Sequence, residues 1–302
     1  MNNKSIGIVG ATGFLGAHLA QQAHNSGWQV VGFSRKEQKS IPHCDEARVF
    51  PRKDRISVEG LGAVVNFAGE SILSRWTKGK KRRILESRVA PTLALVETLA
   101  ALPAEQRPRV LVNASGIGYY GDTGEEAADE SSPQGAGFLA EVCQSWEEAA
   151  LKASDLGVRV VLLRIGFVLA ENGGAISMIR PVFRSGLAGR FGSGKQFMSW
   201  VHAEDVAGLA LAAIDDPDFV GPLNAVAPEP VRNTAFTRIL AKAARRPAFF
   251  HAPSFALRLA LGEMSSLMLD SLRVHRRALP AFRPKWSDLQ QVAQAVFPAR
   301  PA

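Results

Sequence analysis

Ile6-Gly7-Ile8-Val9-Gly10-Ala11-Thr12-Gly13-Phe14-Leu15-Gly16 is a short apolar run broken by glycines, and it feeds directly into Ala17-His18-Leu19-Ala20-Gln21-Gln22-Ala23. The opening reads as a strand, the continuation as a helix, and the glycines as the turn between them. Gly10 can take the tight bend, Gly13 lets a ligand approach the backbone, and Gly16 lets helix and strand pack closely. A helix start offers unpaired N–H groups and the positive end of a dipole, so this turn suits a diphosphate. Glycine is common at such turns, and the assignment gains weight from a second strand over 29–34. The spacing is GxxGxxG rather than GxGxxG.

Outward from this turn, strands and helices alternate. A looser stretch with Pro42 and Pro51 follows the second strand and holds a short third strand near 47–50. Ala63-Val64-Val65-Asn66-Phe67 reads as a buried strand, followed by a loop and a helix over about 80–102. A strand over 109–114, a helix over 138–155 and a strand over 158–165 come next. His202 and Asp205 open another helix, with Val206, Leu209, Ala210 and Ala213 facing the core and Asp205 suited to its first turn. Residues 223–226 return as a strand. Runs of β-branched residues without alternation imply strands covered on both faces, hence a parallel sheet. Right-handed crossovers make it doubly wound. The expected class is therefore α/β, a Rossmann doubly wound parallel sheet with a smaller C-terminal domain on the substrate side. Residues 1–227 form the dinucleotide-binding domain, 167–200 an excursion toward the substrate, and 228–302 the small domain.

The 302 residues are 46% hydrophobic and 21% charged, enough to cover such a sheet and incompatible with global disorder. No stretch reaches the roughly 18 apolar residues of a membrane helix. The apolar run behind Met1-Asn2-Asn3-Lys4 is too short and too glycine-broken for a signal peptide. Cys44 and Cys143 stand alone without a CxxC, and no His/Cys/carboxylate spacing suggests a metal. A soluble, cytoplasmic monomer or homodimer is expected. The net charge is +8, densest at Lys78-Gly79-Lys80-Lys81-Arg82-Arg83. That run is an exposed helix start, an attractor for an anionic small molecule, or a nucleic-acid patch. Nucleic acid ranks last, because no aromatic interleaving accompanies the charge.

The end of the second strand speaks to the type of cofactor. An NAD-binding fold carries an acidic residue about twenty places after the glycines, on the ribose hydroxyls. Here the chain reads Gly32-Phe33-Ser34-Arg35-Lys36, with no carboxylate before Glu37. A carboxylate would repel a 2′-phosphate, whereas Ser34 and Arg35 would bind it. A charge-assisted hydrogen bond is worth about 1.5–3 kcal/mol, so Arg35 favours NADP(H) by roughly ten- to a hundredfold. Otherwise Arg35 and Lys36 are ordinary solvated loop charges.

Several segments carry a resemblance. Asn66-Phe67-Ala68-Gly69 resembles the NxAG element of short-chain dehydrogenases/reductases, to which the glycine spacing also points. Ser115-Gly116-Ile117-Gly118-Tyr119-Tyr120-Gly121 resembles the Ser-x-x-x-Tyr-Gly segment of their extended branch. Leu163-Arg164-Ile165-Gly166-Phe167-Val168-Leu169 and Trp200-Val201-His202-Ala203-Glu204-Asp205-Val206 are similar to elements of sugar-nucleotide epimerases. Ser74-Arg75-Trp76-Thr77, Ser87-Arg88, Gly173-Gly174-Ala175, Gly192-Ser193-Gly194-Lys195-Gln196 and Ala227-Pro228-Glu229-Pro230-Val231 narrow the likeness. They resemble the atypical, YfcH-like epimerase/dehydratase relatives, which carry a small C-terminal domain. The likeness runs from residue 5 to about 270. It implies NADP(H) contacts from Gly10, Thr12, Gly13, Phe14, Leu15, Gly16, Ser34, Arg35, Asn66, Ala68, Gly69 and Arg88. It also implies a small polar substrate, sugar nucleotides being one class.

The chemistry implied by that superfamily needs a tyrosine as general acid and a lysine four residues later. Counting back from Glu147, those slots hold Leu139 and Cys143. The candidates left are Ser115, Tyr119 and Tyr120. Ser115 is the substrate-orienting serine if Tyr119 takes the tyrosine position, and Gly116 falls there if Tyr120 does. The tyrosines are equally readable as wall-forming aromatics with bonded hydroxyls. Arg75, Lys81 and Arg88 either clamp an anionic substrate or pair on the surface, and Trp76 anchors its loop. Two functions follow: an NADP-dependent oxidoreductase or epimerase, or a silent NADP(H)-binding sensor or interaction protein.

Overall fold

The computed structural model describes residues 4–50, 57–171 and 173–298. Residues 1–3, 51–56, 172 and 299–302, with Pro51 and the outer ends of both expected domains, lie outside that description. The first half alternates as expected: β1 (Ser5–Val9), α1 (Phe14–Asn25), β2 (Gln29–Ser34), β3 (Glu46–Val49), β4 (Ala63–Asn66), α2 (Lys78–Ala101), β5 (Val110–Gly116), α3 (Phe138–Leu151) and β6 (Arg159–Ile165). Then come β7 (Phe167–Leu169), α4 (Gly174–Arg184), β8 (Gly189–Phe191), β9 (Phe197–Met198), β10 (Trp200–His202), α5 (Ala203–Asp215) and β11 (Gly221–Ala225). The chain finishes with β12 (Val231–Arg232), α6 (Asn233–Ala243), β13 (Phe250–Ala252), α7 (Ser254–Leu261), α8 (Ser266–Leu269) and α9 (Leu289–Val296).

Seven strands form one parallel sheet in the order β11-β6-β5-β4-β1-β2-β3. Both faces are buried, which is why its strands read as unbroken apolar runs. On one face Ile6, Ile8, Val30, Val65 and Val112 pack with Leu19 of α1 and Leu209 of α5. On the other Val9, Val31, Val64, Leu111 and Leu162 pack with Leu95 and Leu99 of α2. The strand order reverses between β1 and β4, so the crevice at their carboxyl ends is where ligands bind in such sheets. The helix expected over 138–155 stops at Leu151. A 3₁₀ turn at Ser154–Leu156 follows and ends on Gly157, whose φ of 78° is left-handed.

The second unit is built from two separated stretches. Leu169, Ile176, Phe183 and Trp200 share one apolar core with Phe236, Leu240, Val292 and Val296. Pairs β7–β10, β9–β12 and β8–β13 stitch it together. A boundary at 227 therefore divides a single core, and 167–200 belongs with the C-terminal part. The chain then returns to the sheet domain. Ser271 accepts from the Thr123 amide at 2.8 Å, Ala128 bridges to Val274, and Asp205 accepts from the amides of Lys285 and Trp286.

Candidate cofactor and substrate site

At the turn after β1, Gly10 has φ 83°, and a Cβ there would lie 3.1 Å from the Phe67 carbonyl group beyond β4. A Cβ on Gly16 would fall 2.2 Å from the Gly10 carbonyl oxygen, so no side chain fits. Gly13 is the N-cap of α1. No side chain caps the helix and its first turn holds no acidic residue, which leaves its amides and dipole facing outward. Thr12 and Gly13 are exposed at the crest, while Phe14 and Leu15 are half-buried. The Phe14 ring lies against Gly173 and Gly174, where any Cβ would come within 3.0 Å of it. The excursion thus sits beside the glycine turn. These residues fit a dinucleotide diphosphate.

At the end of β2, Ser34 is buried and its hydroxyl donates to the Lys36 carbonyl. Arg35, the next side chain, is exposed. On the other side of β1, the Asn66 side chain donates to Thr92 Oγ1 at 2.9 Å and Asn113 Oδ1 at 2.7 Å. It also accepts from the Ala68 amide at 3.1 Å. The amide therefore shapes the Ala68–Gly69 turn rather than reaching outward. Arg88 of α2 leans over that turn: a Cβ on Gly69 would lie 3.2 Å from its Cζ. Its guanidinium stands 5.2 Å from the Trp146 ring centroid and donates to the Ile84 carbonyl at 3.0 Å.

Beyond β5 lies a buried chain of polar groups. Ser115 Oγ donates to Glu147 Oε1 at 2.6 Å, and Arg164 grips both Glu147 oxygens, at 2.9 and 2.8 Å. Arg164 also donates to the Tyr120 hydroxyl at 3.0 Å, which in turn donates to Asn224 Oδ1 at 2.8 Å. Burial pushes the Tyr120 phenol up to about 12, with Arg164 and Asn224 opposing. A phenol so raised and doubly bonded is a poor proton donor near neutrality. The Tyr119 ring lies 3.5 Å under the Arg164 guanidinium and packs against Ile117, Ala128 and Val226. Cys143, in the lysine slot, is buried, and that burial pushes its thiol up to about 11.

The neighbouring cavity, of about 620 Å³, opens between the start of α3 and the 258–272 segment. Trp76, Phe138 and Leu139 supply apolar wall, and Lys81, Arg258 and Asp270 supply charge. Lys81 pairs with Glu263 at 2.6 Å. The Trp76 indole N–H donates to the Ile72 carbonyl at 2.9 Å, so it anchors its loop as well as lining the cavity. Burial and the neighbouring Asp122 push the Asp270 carboxyl up to about 6, against the pull of Arg258.

The model of the NAD dependent epimerase/dehydratase family matches residues 6–226. The chain belongs to that family. Over 282 residues it is 38% identical to the chloroplastic epimerase family protein SDR39U1 homolog of Arabidopsis thaliana, spanning 89% of this chain and 79% of that one. Among solved structures it superposes on the human epimerase family protein SDR39U1, crystallised with NADPH, at a TM-score of 0.88 and 30% identity. That match covers 98% of this chain and 100% of the human one. A nucleoside-diphosphate sugar epimerase from Corynebacterium glutamicum aligns at 0.78 and 32% identity, over 97% of this chain and 58% of that one.

For this epimerase/dehydratase family member, the structure gathers Gly10, Gly13, Gly16, Ala68, Gly69 and Arg88 along the crevice at the strand ends. It does not bring Ser115, Tyr119 and Tyr120 to the cavity wall. Ser115 and Tyr120 lie inside the buried polar chain, bonded to Glu147 and Arg164, and Tyr119 covers Arg164. Arg75 lies beside Gly262 in the C-terminal segment. Sequence reasoning missed Glu147 and Arg164 as the partners of Ser115 and Tyr120, and Asp270 as a cavity carboxylate. A Glu one turn beyond an empty Tyr-x-x-x-Lys slot was the signal for the first. Asp270 had none.

Proposed function

We propose that this chain is an NADP(H)-dependent oxidoreductase or epimerase acting on a small polar substrate, with nucleoside-diphosphate sugars as one candidate class. The carrying observation is the side-chain-free cradle at Gly10, Gly13 and Gly16 under an uncapped helix start. The exposed guanidinium of Arg35 at the end of β2 supports a 2′-phosphate over a bare ribose. Gly10, Gly13 and Gly16 hold the diphosphate, Ala68 and Gly69 flank the nicotinamide half, and the cavity beside α3 takes the substrate. When bound, the nicotinamide supplies hydride exchange. With Tyr120 sealed inside the fold, Asp270 is the cavity group placed to exchange a proton with the substrate near neutral pH. Incubation with NADPH or NADP+ and a panel of sugar nucleotides and small carbonyl compounds tests this. The expected result is substrate-dependent change in the reduced-nicotinamide absorbance, or epimerised product, abolished by Asp270→Asn and retained by Tyr120→Phe. The second reading, a silent NADP(H)-binding sensor, is favoured by Leu139 and Cys143 in the tyrosine and lysine slots. It predicts tight cofactor binding with no consumption across the panel.

A further inference from the structure

Arg88 carries a charge that its surroundings do not neutralise. Among the described residues its guanidinium makes no ion pair; it donates to the Ile84 carbonyl and, at 3.4 Å, to Ser87 Oγ. The acidic groups of the neighbourhood are already taken. Glu70 is paired with Lys80 at 2.6 Å and Arg83 at 3.4 Å. Glu147 is held by both Arg164 and Ser115. The Cys143 thiol nearby is kept protonated, its burial pushing it up to about 11. Burial also pulls the Arg88 guanidinium below its ordinary range, the mark of a poorly solvated cation.

The position of this cation matters as much as its charge. It leans on Gly69 just past β4, and the nearby Cys143 contacts Ser115 at the end of β5. A dinucleotide whose diphosphate rests on the start of α1 sends one half over β2, toward Ser34 and Arg35. The other half goes over β4 and β5. Resting on the cofactor reading, this puts the nicotinamide half beside Arg88. An oxidised nicotinamide is a cation and a reduced one is neutral, so an unpaired guanidinium at this end repels only the oxidised form.

We propose that Arg88 makes this protein hold reduced NADPH in preference to oxidised NADP+, so that the hydride-carrying form is the one that occupies the cleft at equal concentrations of the two. One full charge acting through a partly screened medium at several ångströms gives a preference of about tenfold or more. For a two-electron couple, a tenfold preference raises the potential of the bound pair by about 30 mV.

Calorimetric titration of the full chain with NADPH and with NADP+, in wild type, Arg88→Gln and Arg88→Lys, tests the idea. The expected result is NADPH bound at least about tenfold tighter by wild type and by Arg88→Lys, with the ratio below about threefold in Arg88→Gln. Arg88→Met serves in the same role if Arg88→Gln does not fold. Equal affinities in wild type, or an unchanged ratio once the charge is removed, overturn the proposal while leaving cofactor binding intact. Absence of binding by either form to wild type overturns the cofactor reading itself, and this proposal with it.

Discussion

Tyr120 is held from two sides, accepting from Arg164 and donating to Asn224, with 5% of its surface exposed. Tyr120→Phe leaves both partners buried without their bond, at a cost of about 1–3 kcal/mol. Chemical unfolding is expected to show that loss, while affinity for NADPH stays within about twofold of wild type. Asp270 behaves oppositely. Its folded-state carboxyl, raised to about 6 by burial and Asp122, holds its proton more tightly than the unfolded chain does. Its contribution to stability is therefore present at low pH and lost as pH rises through about 6. Asp270→Asn is expected to stabilise the fold by about 1 kcal/mol above that pH, after solvent screening, and to be neutral near pH 4. Unfolding midpoints across that range check the sign. At this scale the sequence was only partly legible. Ser115 and Tyr120 stand five residues apart, but Glu147, Arg164 and Asn224, which decide which way their protons point, come from three other elements. Asp270 acquires its character only because the C-terminal segment folds it against Asp122.

The β1–α1 unit was the most legible element, because its signals are local: an apolar strand, glycines at fixed spacing and a helix with nothing acidic at its start. The close approach that makes it a cradle is also its weak point. Gly16→Ala would put a methyl 2.2 Å from the Gly10 carbonyl oxygen, so the turn must open. The expected outcome is loss of at least about tenfold in NADPH affinity and about 1–3 kcal/mol in stability, read by calorimetry and thermal unfolding. The sheet strands were legible for a related reason: burial on both faces writes runs such as Ala63-Val64-Val65 into the chain. Strands of two or three residues, such as β7, β9 and β10, are too short to show any periodicity, and sequence reading passed over them. Only their partners across the chain define them.

At the scale of the whole molecule, two apolar clusters cover the two faces of the parallel sheet and fix where the strand ends lie, and a third joins residues 167–200 to the C-terminal part. Sequence could separate these by position but not see that the excursion and the tail share a core, since their contact partners lie tens of residues apart. The glycine turn and Arg35 lie at one part of the crevice, where the proposed function puts the cofactor, and the cavity beside α3 is where it puts the substrate. The chain's net charge of +8 suits phosphorylated ligands. On the proposed function, the amides at the start of α1 hold a diphosphate while Arg35 grips a 2′-phosphate. Calorimetric titration of wild type and Arg35→Ala with NADPH and NADH measures both parts at once. NADPH is predicted to bind wild type at least about tenfold tighter than NADH, and Arg35→Ala to erase most of that difference while still binding both. Equal affinities in wild type, or no binding of either at millimolar concentration, would contradict it.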